Sequence, residues 1–100
     1  MENDNIFLEL ADFFKIFGDY TRLKILKILM KQETCTGGIA RELDMSKSSI
    51  SHQLKILRDK RLIKYRKEGK SVIYSLDDEH IEKIFNMGLT HLGEGGVSND

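Results

Sequence analysis

Toward the end of this 100-residue sequence, four side chains of metal-ligand type fall in the pattern D-x-H-x10-H-x2-E: Asp78, His80, His91 and Glu94. Two imidazoles with two carboxylates suit zinc or cobalt; nickel, which usually takes more ligands, is the less favoured alternative. On a helix His80 and His91 share a face but stand about 16 Å apart along the axis. Zinc ligands lie about 2 Å from the ion, so one ion cannot reach both histidines within one chain. If two copies pack their last helices antiparallel, the Asp78 and His80 pair of one meets the His91 and Glu94 pair of the other, giving two symmetric sites per dimer. His91 and Glu94, at i and i+3, can chelate from a regular helix. Asp78 and His80 can converge only because the backbone is free to deviate at the helix cap. The same residues also admit an ordinary use, carboxylates serving the helix dipole and histidines facing water or hydrogen-bond partners. Four protein ligands leave no position for an attacking water, and no separate nucleophile and base accompany them, so an enzyme is not expected.

The elements that would hold these residues follow from periodicity and punctuation. Ile6, Phe7, Leu10, Phe13, Phe14 and Phe17 lie at helical spacing and Gly18 follows as a stop, which predicts a first helix. Asp19 caps a second, running to Lys31 with Leu23, Leu26, Leu29 and Met30 as its inward stripe. A short third helix spans Cys35 to Leu43 with Ile39, Ala40 and Leu43 inward, and Asp44 and Met45 form a tight turn. Ser46 caps a fourth helix whose apolar residues are Ile50, Leu54 and Leu57. Leu62 to Arg66 and Ser71 to Leu76 read as one β-hairpin around Lys67-Glu68-Gly69-Lys70. Asp77 and Asp78 open a fifth helix that carries Ile81, Ile84, Phe85, Leu89 and Leu92 to about Gly93. The expected fold is mainly α with one β-hairpin, a winged helix-turn-helix in residues 1–94, followed by a disordered tail in residues 95–100.

The fourth helix has the layout of a helix that reads DNA. One face is apolar, and Ser48, Ser51, His52 and Lys55 fall opposite, with Lys47 near the N-terminus and Gln53 within reach. Short serines let the backbone approach the major groove, and hydroxyl, imidazole and amide groups can bond phosphates or base edges. Lys64, Arg66, Lys67 and Lys70 stand on or near the hairpin tip, where a wing would meet the DNA backbone. A solvated helix face and a charged turn are the plain alternatives. Against them stands the helix-turn-helix spacing of Ile39, Ala40, Leu43, Met45 and Ile50. Asp44 takes the turn position usually given to glycine, and aspartate tolerates a left-handed backbone better than most residues.

Charge is segregated although the total is zero. Residues 41–75 hold ten Lys or Arg against four Asp or Glu, whereas residues 76–100 hold one against six. Basic surface attracts phosphate and acidic surface attracts cations. A chain this short, with 40% hydrophobic residues, is expected to form one domain and to bury its leftover apolar helices against a second copy. No run is long enough to span a bilayer, and the first residues are acidic rather than basic, so a soluble cytoplasmic protein is expected. Cys35 is the single cysteine; it reads as a small buried residue in a reducing compartment.

Three stretches carry a resemblance to a known family: Phe17-Gly18-Asp19-Tyr20-Thr21-Arg22-Leu23-Lys24-Ile25-Leu26, Met45 through Leu57 (MSKSSISHQLKIL), and Tyr65-Arg66-Lys67-Glu68-Gly69-Lys70 leading to Tyr74-Ser75-Leu76-Asp77-Asp78. Over about Phe13 to Glu94 the sequence resembles the ArsR/SmtB family of bacterial metal-responsive repressors, with Tyr20 where proline is frequent. The resemblance implies a homodimer that binds double-stranded operator DNA; the contacts expected from the helix and hairpin pattern are Lys47, Ser48, Ser51, His52, Gln53, Lys55, Arg66, Lys67 and Lys70. It also implies an interhelical zinc site at Asp78, His80, His91 and Glu94. Some relatives hold a second metal with cysteines near the third helix. Here Gly38 stands where an acidic ligand would be expected, and Met1 to Asp12 contains no cysteine or histidine. The alternative is a repressor of the same fold that answers to nickel, a redox signal or a protein partner.

Overall fold

The computed structural model describes residues 4–93. In chain order it contains α1 (Asp4–Phe17), α2 (Tyr20–Lys31), α3 (Thr36–Leu43), α4 (Lys47–Asp59), β1 (Ile63–Glu68), β2 (Ser71–Leu76) and α5 (Glu79–His91). This is the winged helix-turn-helix that the periodicity predicts. Glu94 and the tail of residues 95–100 lie outside the described residues.

Three predicted caps form. The Asp19 carboxylate accepts the Arg22 backbone N–H at 3.0 Å, the Ser46 hydroxyl accepts that of Ser49 at 3.1 Å, and Asp78 accepts that of His80 at 2.8 Å. Each satisfies a backbone donor that the first helical turn leaves free. At their far ends α3 and α4 share one device. Met45 N–H donates to the Ala40 carbonyl and Asp44 N–H to Arg41, and Leu62 N–H donates to Leu57 and Arg61 N–H to Arg58. These paired bonds are the Schellman pattern, which needs a left-handed residue at the turn. Asp44 (φ 55°) and Arg61 (φ 64°) supply it without glycine.

The core draws on every element except the second strand: Phe17, Ile25, Leu26, Ile28, Leu29, Ile39, Ala40, Ile50, Leu54, Leu57, Leu62, Ile63 and Ile81. In α2 the buried stripe is Ile25, Leu26, Ile28 and Leu29, with Leu23 and Met30 only half-buried. The inward face is thus turned from the one the leucine spacing picks out, because α2 packs against β2 as well as α1, α3 and α4 and a wider arc is covered. The α1 helix buries Phe17 alone and leaves Ile6, Phe7, Leu10 and Phe14 substantially exposed.

The hairpin pairs Ile63 with Leu76 through Glu68 with Ser71, so β1 continues two residues past its expected end. Only Gly69 and Lys70 remain as the turn, and Gly69 takes φ 62° at its first position, where tight hairpins favour glycine. A feature absent from the sequence reading is a bridge between Thr34 and Tyr74 on the other edge of β2, with backbone bonds of 3.2 and 2.8 Å. The loop before α3 thereby becomes a one-residue third strand. The molecule is flat, 45 × 41 × 21 Å.

A β-branched residue is poorly tolerated in the left-handed region, whereas glycine adopts it freely but has more backbone entropy to lose. Asp44→Val is therefore expected to cost about 1–2 kcal/mol in urea unfolding, and Asp44→Gly to stay within about 0.5 kcal/mol of the parent.

Candidate functional site

The candidate recognition face is built by the burial of its opposite. Ile50, Leu54 and Leu57 are 0–1% exposed, and they pin α4 with Lys47, Ser48, Ser51, His52 and Lys55 turned to solvent. Ser46, Ser48 and Ser49 form a hydroxyl cluster at the helix start, with Oγ separations of 2.9 and 3.3 Å from Ser46. Ser46 and Ser49 are thus engaged in capping, and Ser51 stands one turn further along. Lys55 also pairs with Asp59 at 3.0 Å, an exposed contact that phosphate can displace at little cost.

Gln53 is placed differently from the rest of the set. It lies on the flank of the buried stripe, half-buried, and its Oε1 accepts from Arg22 Nη1 at 3.1 Å. The same guanidinium donates through Nε to the Ile16 carbonyl at 2.8 Å. Arg22 therefore ties the end of α1 to α4 and fixes which end of the Gln53 amide faces outward. The sequence reading passed over Arg22. Its signal was a charged residue three before Ile25 and seven before Leu29, on the face that α2 buries.

On the hairpin, Lys64, Lys67 and Lys70 are exposed, without an ion-pair partner among the described residues. Arg66 is not free. It donates to both oxygens of Glu33, at 3.0 and 2.5 Å, and through Nε to Glu68 at 2.8 Å. The hydrogen bonds to Glu33 and then Glu68 raise its pKa further, and the Arg66 side chain holds the Glu33 carboxyl below the usual range.

Of the three candidate metal ligands among the described residues, the structure brings two together. Asp78 Oδ1 lies 3.2 Å from His80 Nδ1 at the start of α5, both side chains exposed. Desolvation alone would raise the Asp78 carboxyl, but the side-chain and backbone hydrogen bonds from His80 outweigh it and lower it. His91 closes the far end of α5 and is not gathered with them. Among the described residues no three His, Cys, Asp or Glu side chains sit close enough to hold one ion. The Asp78 and His80 pair borders a cleft of about 630 Å³ between α1, the end of α4 and the start of α5, lined also by Asp12, Lys60 and Asp77. On the other side of α5, Phe14, Phe17, Leu23, Phe85, Leu89 and Leu92 line an apolar groove of about 340 Å³.

Cys35 is half-buried rather than buried, at the start of α3, where the Gly38 backbone amide draws its thiol below the usual range. A side chain at position 38 would collide with the Thr34 hydroxyl, so an acidic ligand cannot be accommodated there without rearrangement.

A winged fold whose α4 presents hydroxyl-bearing and basic side chains is an architecture that DNA-binding transcriptional regulators use. Residues 19–65 match the family described as "Bacterial regulatory protein, arsR family". The chain is 41% identical over 86 residues to a transcriptional repressor SmtB homolog from Synechocystis, covering 86% of this chain and 65% of that protein. It is 39% identical over 88 residues to a cadmium resistance regulatory protein CadC homolog from Staphylococcus aureus, covering 87% and 73%. A homodimeric winged helix-turn-helix DNA-binding domain from Mycobacterium bovis superposes with a TM-score of 0.83 at 23% identity, covering 95% of this chain and 92% of that one. The chain belongs to the ArsR family of bacterial transcriptional regulators.

Removing the Arg22 guanidinium leaves the Ile16 carbonyl and the Gln53 amide without their donor. Arg22→Met is expected to lower unfolding free energy by about 1–3 kcal/mol in urea and to weaken DNA binding, whereas Gln53→Met should weaken DNA binding at a smaller cost in stability.

Proposed function

We propose that this chain is a metal-responsive repressor that binds double-stranded operator DNA as a homodimer in the cytoplasm and releases it on binding zinc, with cobalt as a competent substitute. The observation that carries the reading is the Asp78 and His80 pair. Two donors each about 2 Å from a tetrahedral ion stand roughly 3.3 Å apart, and these two lie 3.2 Å apart on an exposed helix start. The donor set fits the ion. His91 and Glu94 of a second copy would complete it, and zinc would supply a cross-link between the two α5 helices.

The dimer reading rests on exposed apolar surface. Ile6, Phe7, Leu10 and Phe14 of α1 and Met87 and Leu92 near the end of α5 are between 45% and 76% exposed, and Phe14 and Leu92 line one apolar groove, surface that a second copy would cover. Two recognition helices must lie about 34 Å apart to enter successive major grooves. The start of α5 is tied to the reading head by the Asp77 N–H bond to the Leu62 carbonyl, 3.0 Å, just past α4. The α1 helix is tied to the same place by the 2.5 Å pair of Asp12 with Lys60. A change in how the α5 helices meet is therefore passed to the spacing of the α4 helices. By linkage, the effector weakens DNA binding by the factor by which DNA weakens effector binding, commonly about 5- to 150-fold.

One observation favours a redox signal instead: the partly accessible, lowered thiol of Cys35. Cys35→Ser separates the two readings, since a metal response should survive it.

Fluorescence anisotropy with a labelled duplex from upstream of the chain's own gene tests the proposal. Saturating zinc should lower affinity by at least about fivefold and a chelator restore it. His91→Ala should abolish the response and leave metal-free binding within about twofold, because His91 caps no helix start, whereas Asp78→Ala also forfeits about 1 kcal/mol of capping. Unchanged affinity at saturating zinc would exclude the sensing mechanism.

A further inference from the structure

We propose that Arg66 is the positioning residue of the wing, held by Glu33 across β2 and by Glu68 of its own strand so that Lys67 and Lys70 meet the DNA backbone at a fixed angle to α4; it is not itself a phosphate contact. The inference rests on the reading that the hairpin is a DNA-binding wing.

Arg66 lies in the middle of β1 opposite Ile73, on the face away from the Tyr65 and Tyr74 rings. Because Thr34 pairs with Tyr74, the register continues with Glu33 beside Ser75, on the far edge of β2. Neighbouring strands are about 4.8 Å apart, so reaching Glu33 from β1 takes the whole side chain across one intervening strand. The guanidinium then meets Glu33 through both terminal nitrogens and Glu68 through Nε, with a further Nη2 contact to Glu68 of 2.6 Å. Three of its nitrogens are committed to carboxylates, and one positive charge is set against two negative ones. Such a cluster has no excess charge to offer a phosphate, and occupying it would displace Glu33 from a two-point fork.

What the fork does is geometric. The Thr34 bridge fastens β2 to the loop before α3, and Arg66 fastens β1 to the same loop one residue earlier. Two attachments on successive residues stop the hairpin from rocking against the helix-turn-helix. An exposed pair adds little to stability, but it narrows the orientations that would otherwise have to be lost on binding.

The test compares salt dependence of binding. Using the full chain and the same labelled duplex, affinities are measured across a salt series for the parent, Lys67→Ala, Arg66→Gln, Arg66→Lys, Glu33→Gln and the Arg66→Gln/Glu33→Gln double variant, with folding checked by circular dichroism. Lys67→Ala should reduce the slope of log affinity against log salt by about 0.9, as loss of one phosphate contact requires. Arg66→Gln should weaken binding about three- to fivefold with the slope unchanged, and Arg66→Lys, which keeps the charge and loses the fork, should do the same. Glu33→Gln should also weaken binding, and the double variant should be no weaker than either single one. The proposal is overturned if Glu33→Gln binds more tightly, if Arg66→Gln lowers the slope as Lys67→Ala does, or if Arg66→Lys matches the parent. Absence of salt-dependent binding by the parent would instead refute the DNA-binding reading, and this proposal with it.

Discussion

The seating of α4 on the core is the constraint from which the rest of the molecule takes its meaning. Ile50, Leu54 and Leu57 are fully withdrawn from water, and burying three such side chains contributes several kcal/mol, about 1.5–3 for each. That burial decides which residues face outward, because at 100° per residue a helix fixed along one stripe has no freedom left about its axis. The serines, His52 and Lys55 face solvent as a by-product of where the leucines go. The same packing sets the direction of the wing, since Leu62 and Ile63, the two residues that lead from the helix end into β1, are buried in the same cluster.

Around that apolar seat runs a set of polar ties that apolar contact alone would not specify. Arg22 reaches from α2 to the carbonyl of Ile16 and to Gln53; Asp77 bonds the Leu62 carbonyl; Lys60 meets Asp12. Each joins α4, or the turn that follows it, to a helix at the proposed dimer contact or to the shoulder of one. The exposed Lys60 pair adds little stability and is weakened by salt, whereas the Arg22 and Asp77 bonds go to neutral acceptors. Their common effect is on orientation: they fix how α4 and the turn after it sit against the neighbouring helices.

Much of this was legible in the residues. The five helices, the hairpin, the Ser46 and Asp78 caps and the left-handed turn at Asp44 follow from local rules, because capping and turn chemistry act within a few residues. The inward stripe of α2 did not, since leucine spacing points to one arc and contacts with β2 and three other helices widen it. The Thr34 bridge was invisible because a single paired residue leaves no alternation to detect. Arg22 with Gln53 and Arg66 with Glu33 are long-range pairs, 31 and 33 residues apart in sequence, and nothing local announces them. Arg66 shows the difference most plainly: by composition it was one more cation on a basic hairpin, and only its two acidic neighbours reveal it as already occupied. Asp78 and His80 meet as their spacing at a helix cap suggested, while His91 stays at the opposite end of α5, as helical rise requires.

The smallest dimension of the molecule, 21 Å, is about the thickness of two helices laid side by side. A slab of that kind has no inert middle. Ile50, Leu54 and Leu57 each lie within two residues along α4 of an exposed side chain, so little of the slab separates the seat of the helix from water. In such a body a displacement at one broad face has only a short distance to travel before it meets the side chains that seat α4.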